Sequence, residues 1–150
     1  MDKSSVAGLP AEFTLFVQKE VVIDAPAAVV FDAILEEAGP GLTGMDGKSM
    51  NLRLEAWPGG RWYRDLGNNT GHFWGHVQVI KPPTLLELCG PMFMSHPVAS
   101  HIQYRLKETG GKTTLAFTHQ AFGPIAQQHR EGVQLGWGQQ LERIKARATK

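Results

Sequence analysis

A single cysteine, Cys89, stands in the 150 residues, which excludes an internal disulfide and suits a reducing compartment. Charge of one sign is lacking too: 15 Lys and Arg stand against 14 Asp and Glu. The only basic concentration is the mixed end Arg143, Lys145, Arg147, Lys150, so neither nucleic acid nor an anionic membrane is an expected partner. No apolar run reaches the roughly 18 residues of a membrane span. Met1 to Pro10 lack the apolar core of a signal peptide, and a cytoplasmic location is expected. Catalytic signatures are missing as well: there is no Gly-x-Ser-x-Gly elbow, P-loop or dinucleotide fingerprint. His72 and His76, placed on one strand face at ~3.3 Å per residue, would stand roughly 13 Å apart, too far to share a zinc ion held at about 2 Å. His96, His101 and His129 show no ligand spacing. No metal and no cofactor is therefore expected. Cys89, with no neighbour to lower its pKa, reads as a small core residue rather than a nucleophile.

What is present has the length of one domain. Residues 1–12, with Gly8 and Pro10, read as a loose lead-in, and residues 13–150 as a single domain. Thr14 to Ile23 is a β-branched run that predicts a strand. Asp24-Ala25-Pro26 ends it, and Pro26 suits the first position of a helix carrying Val30, Phe31, Ile34 and Leu35 at helical spacing. From Asn51 to His119 the punctuation is that of an antiparallel sheet. Strands are predicted at 51–56, 61–66, 72–80, 85–89, 98–107 and 113–120, between turns such as Pro58-Gly59-Gly60, Lys81-Pro82-Pro83 and Thr109-Gly110-Gly111. A long helix closes the chain. Pro124 suits its first turn, and Val133, Trp137, Leu141, Ile144 and Ala148 fall within about 40° of one line at 100° per residue. Gly132, Gly136 and Gly138 each weaken that helix by ~1 kcal/mol relative to Ala, which suggests a close approach or a bend.

Taken in order, Ile23-Asp24-Ala25-Pro26 through Val30-Phe31, Pro58-Gly59-Gly60-Arg61-Trp62, Gly75-His76-Val77, Pro82-Pro83 with Leu86, and Gly136-Trp137 with Leu141 span residues 20–148. The chain thereby resembles the SRPBCC or START-like superfamily, and within it the proteins related to the C-terminal domain of the activator of Hsp90 ATPase. The resemblance implies an α+β helix-grip (START/Bet v 1-like) fold, a curved antiparallel sheet wrapped around the long C-terminal helix with a cavity between them. It implies no single reaction, because such folds host ligand carriers, cyclases and co-chaperones alike. Gly59-Gly60 then reads as a bulge that bends the sheet, and Gly75 as a point of close approach by the helix or another strand.

Strand alternation selects the candidate site. Thr113, Leu115, Phe117 and His119 share one face, and Ile102, Tyr104 and Leu106 share another. Projected back from Trp137, Arg130 lands about 20° from the helix stripe. Two readings stand for Tyr104, His119 and Arg130. They are polar groups orienting a ligand, the guanidinium favouring a carboxylate or phosphate, or they are satisfied core residues and a snorkelling arginine. Trp62, Trp137, Leu141 and Met92, in the run Met92-Phe93-Met94, complete the expected apolar lining with Phe117. Trp74 ranks below them, since Phe73, Gly75, Val77 and Val79 form the more apolar set of that strand. The leading expectation is binding of a small apolar or amphipathic molecule without catalysis. The first alternative is cyclase- or hydrolase-like chemistry with Tyr104 and His119 as acid and base. The second is a protein-interaction module of the co-chaperone kind, although Hsp90 itself is not an expected partner. Leu135, off the stripe, raises the prospect of a homodimer.

Overall fold

The computed structural model describes residues 11–93 and 95–150; residues 1–10 of the expected lead-in, and Met94, lie outside the described residues. A 3-10 turn over Ala11–Phe13 leads into β1 (Thr14–Ile23) and α1 (Ala27–Glu37). Then come β2 (Leu52–Leu54), β3 (Arg61–Gly67), β4 (Thr70–Lys81), β5 (Leu85–Gly90), β6 (Ala99–Thr109) and β7 (Lys112–Phe122). The long helix α2 (Gln127–Ala148) ends the chain. The strands form one seven-stranded sheet in the order β1-β7-β6-β5-β4-β3-β2, antiparallel throughout. This is the α+β helix-grip architecture, a curved sheet with helices on its inner side. Among the described residues no helix is long and apolar enough to cross a membrane.

The alternation expected for β6 and β7 is observed: Ile102, Tyr104, Leu106, Leu115, Phe117 and His119 are all buried on the inner face. On β5 the buried positions are Leu86 and Leu88, which turns Cys89 outward. It is half-buried between His76 and His101, its direct cross-strand neighbours, and so is not the core residue expected. Those histidines already bond Gly59 O and Glu87 respectively.

Simple alternation fails on β4. Trp62 pairs with Gly75 and Tyr63 with Phe73, so Trp74 is the extra residue of a bulge. A bulge offsets the period of two by one residue. Phe73 is therefore 48% exposed while Val77 is buried. It also separates the faces of His72 and His76: His76 packs its ring edge against outward Phe73. At Gly75 an added Cβ would meet Cys89 O at 2.2 Å, so the close approach is that of the neighbouring strand. Gly59-Gly60 lies in the β2–β3 turn instead of in a bulge. Gly59 has φ +83° and Gly60 leaves no room for a side chain against Glu55 O.

Both helices start one to three residues later than the proline positions suggest. Pro26 is the N-cap of α1, with extended ψ, and the N–H of Ala27 donates to the Glu108 carboxylate at 2.7 Å. An acidic side chain from β6 thus satisfies a donor that the helix itself leaves open. Pro124 lies before α2, whose N-cap is Ala126. Val30, Phe31 and Ile34 of α1 are buried at 2% exposure or less, each contributing about 1.5–3 kcal/mol by leaving water.

Candidate functional site

The two halves of α2 sit differently on this frame. Trp137, Gln140, Leu141, Ile144 and Ala148 are buried, whereas no residue from Gln127 to Gly136 is. The space left under the first half is a cavity of about 540 Å³. Its helix wall includes His129, Gly132, Val133, Gly136, Trp137 and Gln140. Leu52, Trp62 and Trp74 form the sheet side, Ala38 and Leu42 one end, and Met92, Phe93 and His96 of the β5–β6 loop the other. With Trp137 as origin, the lining residues Val133, Gln140, His129 and Gly136 lie about 40–100° to one side of the helix. Leu141, Ile144 and Ala148 follow the packed line itself. The cavity therefore occupies a flank of the amphipathic stripe and not its centre.

That rotation explains where Arg130 goes. It shares the packed line and turns toward β1, where its guanidinium donates to the carbonyls of Thr14, Ala11 and Glu12, and to Ile125 O within its own approach to the helix. It is absent from the cavity wall. Arg130 is thus a clamp on the 3-10 turn and not the ligand-facing cation of the first reading. Arg143 borders the cavity in its place. Its Nε donates to Glu37 at 3.1 Å, and Arg147 meets the other carboxylate oxygen at 3.1 Å. Glu37 is only 4% exposed, so the two guanidiniums supply the pairing a buried carboxylate requires.

Tyr104 and His119 lie behind the wall, fully buried. The Tyr104 hydroxyl donates to Gln140 Oε1 at 2.6 Å. Burial pushes its phenol above the ordinary tyrosine range, the Gln140 bond opposing and Glu37 adding. His119 receives the Trp137 indole N–H on Nδ1 at 2.9 Å, and its Nε2 lies 2.9 Å from Ser100 Oγ. An indole N–H can only donate, so Nδ1 is the acceptor and the neutral ring carries its proton on Nε2, donated to Ser100. The histidine therefore has no lone pair for the serine proton, and the Ser100–His119 pair cannot activate a nucleophile. Burial first, and the charge of His101 second, hold His119 at a pKa of about 4. Tyr104 and His119 bond separate partners with no shared one, so the geometry does not join them as acid and base.

Of the remaining expected residues, Trp62, Met92 and Trp137 reach the cavity, while Phe117 and Leu141 are packed behind it. Phe117 stands with its ring centroid 4.6 Å from that of Trp137. Trp74, ranked by strand alternation below Trp62 and Trp137, lines the cavity beside them, and Phe93 joins Met92 of the same run. Residues that strand and stripe logic did not select include Leu52, His96, His129, Gly132, Gly136 and Gln140. The helix members were accessible from spacing, since residues 129, 133, 136, 137 and 140 recur at helical intervals. Trp74 was not, because a bulge has no periodic signature. Gly132 and Gly136 face open space: an added Cβ would meet nothing within 4 Å. They do not admit a close approach; they leave volume in the cavity. Among the described residues no group of His, Cys, Asp or Glu side chains forms a metal site.

Residues 24–149 match the protein family described as activator of Hsp90 ATPase homolog 1-like protein. No curated protein sequence matches the chain. Solved structures share the fold at low identity. Protein MLL2253 from Mesorhizobium loti is 19% identical, with 88% of this chain and 95% of that one covered and a TM-score of 0.66. An uncharacterized protein from Rhizobium leguminosarum is 17% identical, covering 91% and 95%, with a TM-score of 0.72. Ara h 8.0201 is 10% identical, covering 91% and 98%, with a TM-score of 0.63.

Proposed function

The chain belongs to the activator of Hsp90 ATPase homolog 1-like family, and on that premise we propose that it holds a small, largely apolar molecule between α2 and the sheet. The observation that carries this reading is the cavity of about 540 Å³ beneath the first half of α2, within the range of small-molecule sites. Two glycines on its helix wall keep it open, at a cost of ~1 kcal/mol each to the helix. A helix selected only for stability would carry alanine there. Catalysis is no part of the proposal, because the buried candidates for acid and base are engaged elsewhere.

Native mass spectrometry of the purified protein, with a titration by anilinonaphthalene sulfonate, tests the reading. A bound adduct or saturable one-to-one dye binding is expected, together with its loss in Gly136→Phe, which fills the cavity. A protein with no adduct and no saturable binding would refute it. The same spectrum reads the oligomeric state, for which Leu135, 64% exposed, marks the face a second copy would cover. Stimulation of an Hsp90 ATPase by the chain would favour the co-chaperone reading instead.

A further inference from the structure

One permanent charge stands in the wall of the cavity. Among the described residues its lining holds no Asp, Glu or Lys, and Arg143 is its one arginine. The titratable lining residues, His96 and His129, stand together at the other end, beside Met92 and Phe93. With Trp137 as origin, Arg143 lies about 120° round α2, on the same side as Gly136 and His129. At about 1.5 Å per residue, Arg143 and His129 are about 21 Å apart along the helix axis. The cavity is thus longer than it is wide, apolar along its length, and cationic at the end near Ala38 and Leu42.

The state of that guanidinium indicates what it can still bind. The Arg143 side chain is 39% exposed, so it is open to a molecule entering from solvent. Its Nε donates to Glu37 at 3.1 Å, while Nη1 and Nη2 hydrogen-bond no described residue. Arg147 instead commits both Nε and Nη2 to the other oxygen of the same carboxylate. Glu36 lies on the Arg147 side: a Cβ added at Gly41 would meet Glu36 Cγ at 2.9 Å and Arg147 Nη2 at 3.0 Å. Two guanidiniums therefore share the Glu37 charge, and the one with free donors faces the cavity. A neutral molecule drawn over Arg143 would strip water from a charge and return nothing. A carboxylate would replace that water with charge-assisted bonds, and the Glu37 bond already restrains the guanidinium that makes them. Resting on the binding function proposed above, we infer that the ligand is an elongated amphiphile with a single anionic head, a carboxylate, set against Nη1 and Nη2 of Arg143. Its apolar body lies toward Trp74 and Met92.

Decanoate and decanol share one chain and differ in the charged head, and their displacement of phenylnaphthylamine, an uncharged fluorescent probe, tests this. Decanoate should bind the wild-type protein more tightly than decanol. Arg143→Gln should cut the ratio of the two affinities about tenfold, the equivalent of one charge-assisted hydrogen bond. The ratio is the readout because Arg143 belongs to the wall: a change in the cavity's shape or in stability falls on both compounds and cancels. Arg143→Lys, which keeps the charge, should keep decanoate ahead. On the wild-type protein, and so independent of any variant's folding, the preference should hold from about pH 6 to about pH 8.5, since a guanidinium stays charged throughout while a histidine does not. A preference that vanishes as the histidines lose their protons would set the head at the His96–His129 end and overturn the assignment to Arg143. Decanol binding as tightly as decanoate, or a ratio unchanged in Arg143→Gln, overturns the anionic head while leaving the binding function intact. Binding of neither compound nor the probe overturns the binding function itself, and the inference with it.

Discussion

The two halves of α2 share one helix and oppose each other in almost every other respect. From Trp137 onward the helix is keyed to the rest of the chain by Trp137–His119 and Gln140–Tyr104 hydrogen bonds and by the two arginines on Glu37. From Gln127 to Gly136 nothing is buried, two glycines face open space, and Arg130 tethers the near end through backbone carbonyls. The difference shows a division of labour within a continuous hydrogen-bonded rod. The packed half sets the angle and depth of the helix, and the rigidity of the helix transmits that position to a half that touches little and can therefore enclose a cavity.

This comparison is open to attack from its strongest point downward. Ile144 is fully buried in the packed half, and Ile144→Ala should cost about 2–5 kcal/mol in urea unfolding. A loss below 1 kcal/mol would mean that the second half is not what anchors the helix. His119 supplies the next largest effect. Its pKa of about 4 in the fold lies below the ordinary 6.5, so the unfolded chain binds the extra proton between those values. Its stabilising contribution is therefore present above pH 6.5 and is lost as pH falls through 4. At about 1.36 kcal/mol per pH unit the full loss is roughly 3 kcal/mol. Protonation would also set an Nδ1–H against the Trp137 N–H. Unfolding of the wild type relative to His119→Gln, followed from pH 7 down to pH 4, checks this; a constant difference would deny the buried imidazole its role. The smallest effect belongs to the open half: Gly132→Ala and Gly136→Ala should each stabilise by up to ~1 kcal/mol while weakening ligand binding. Stabilisation without any loss of binding would show that the glycines do not shape the site.

Much of the architecture was legible because it rests on local chemistry. The boundaries of β1, the faces of β6 and β7 and the packed line of α2 all follow from periodicity, which is a property of neighbouring residues. The site was legible only in part. Trp62, Met92 and Trp137 were anticipated and border the cavity. Arg130 was set on the right line of the helix, but that line leads to β1 and the 3-10 turn. Tyr104 and His119 were correctly turned inward, yet facing inward does not distinguish a wall from what lies behind it.

By itself, the amino-acid sequence determined the element order, the inward faces of the inner strands and the amphipathic line that docks α2, since each is written in spacings of two or of three and four residues. Only the tertiary structure decided that the cavity lies on the flank of that line, that a bulge turns Trp74 into it, and that the His119 tautomer is held by Trp137. Those outcomes depend on which residues distant in the chain meet, and a bulge or a hydrogen bond between β7 and α2 leaves no period in the sequence to read.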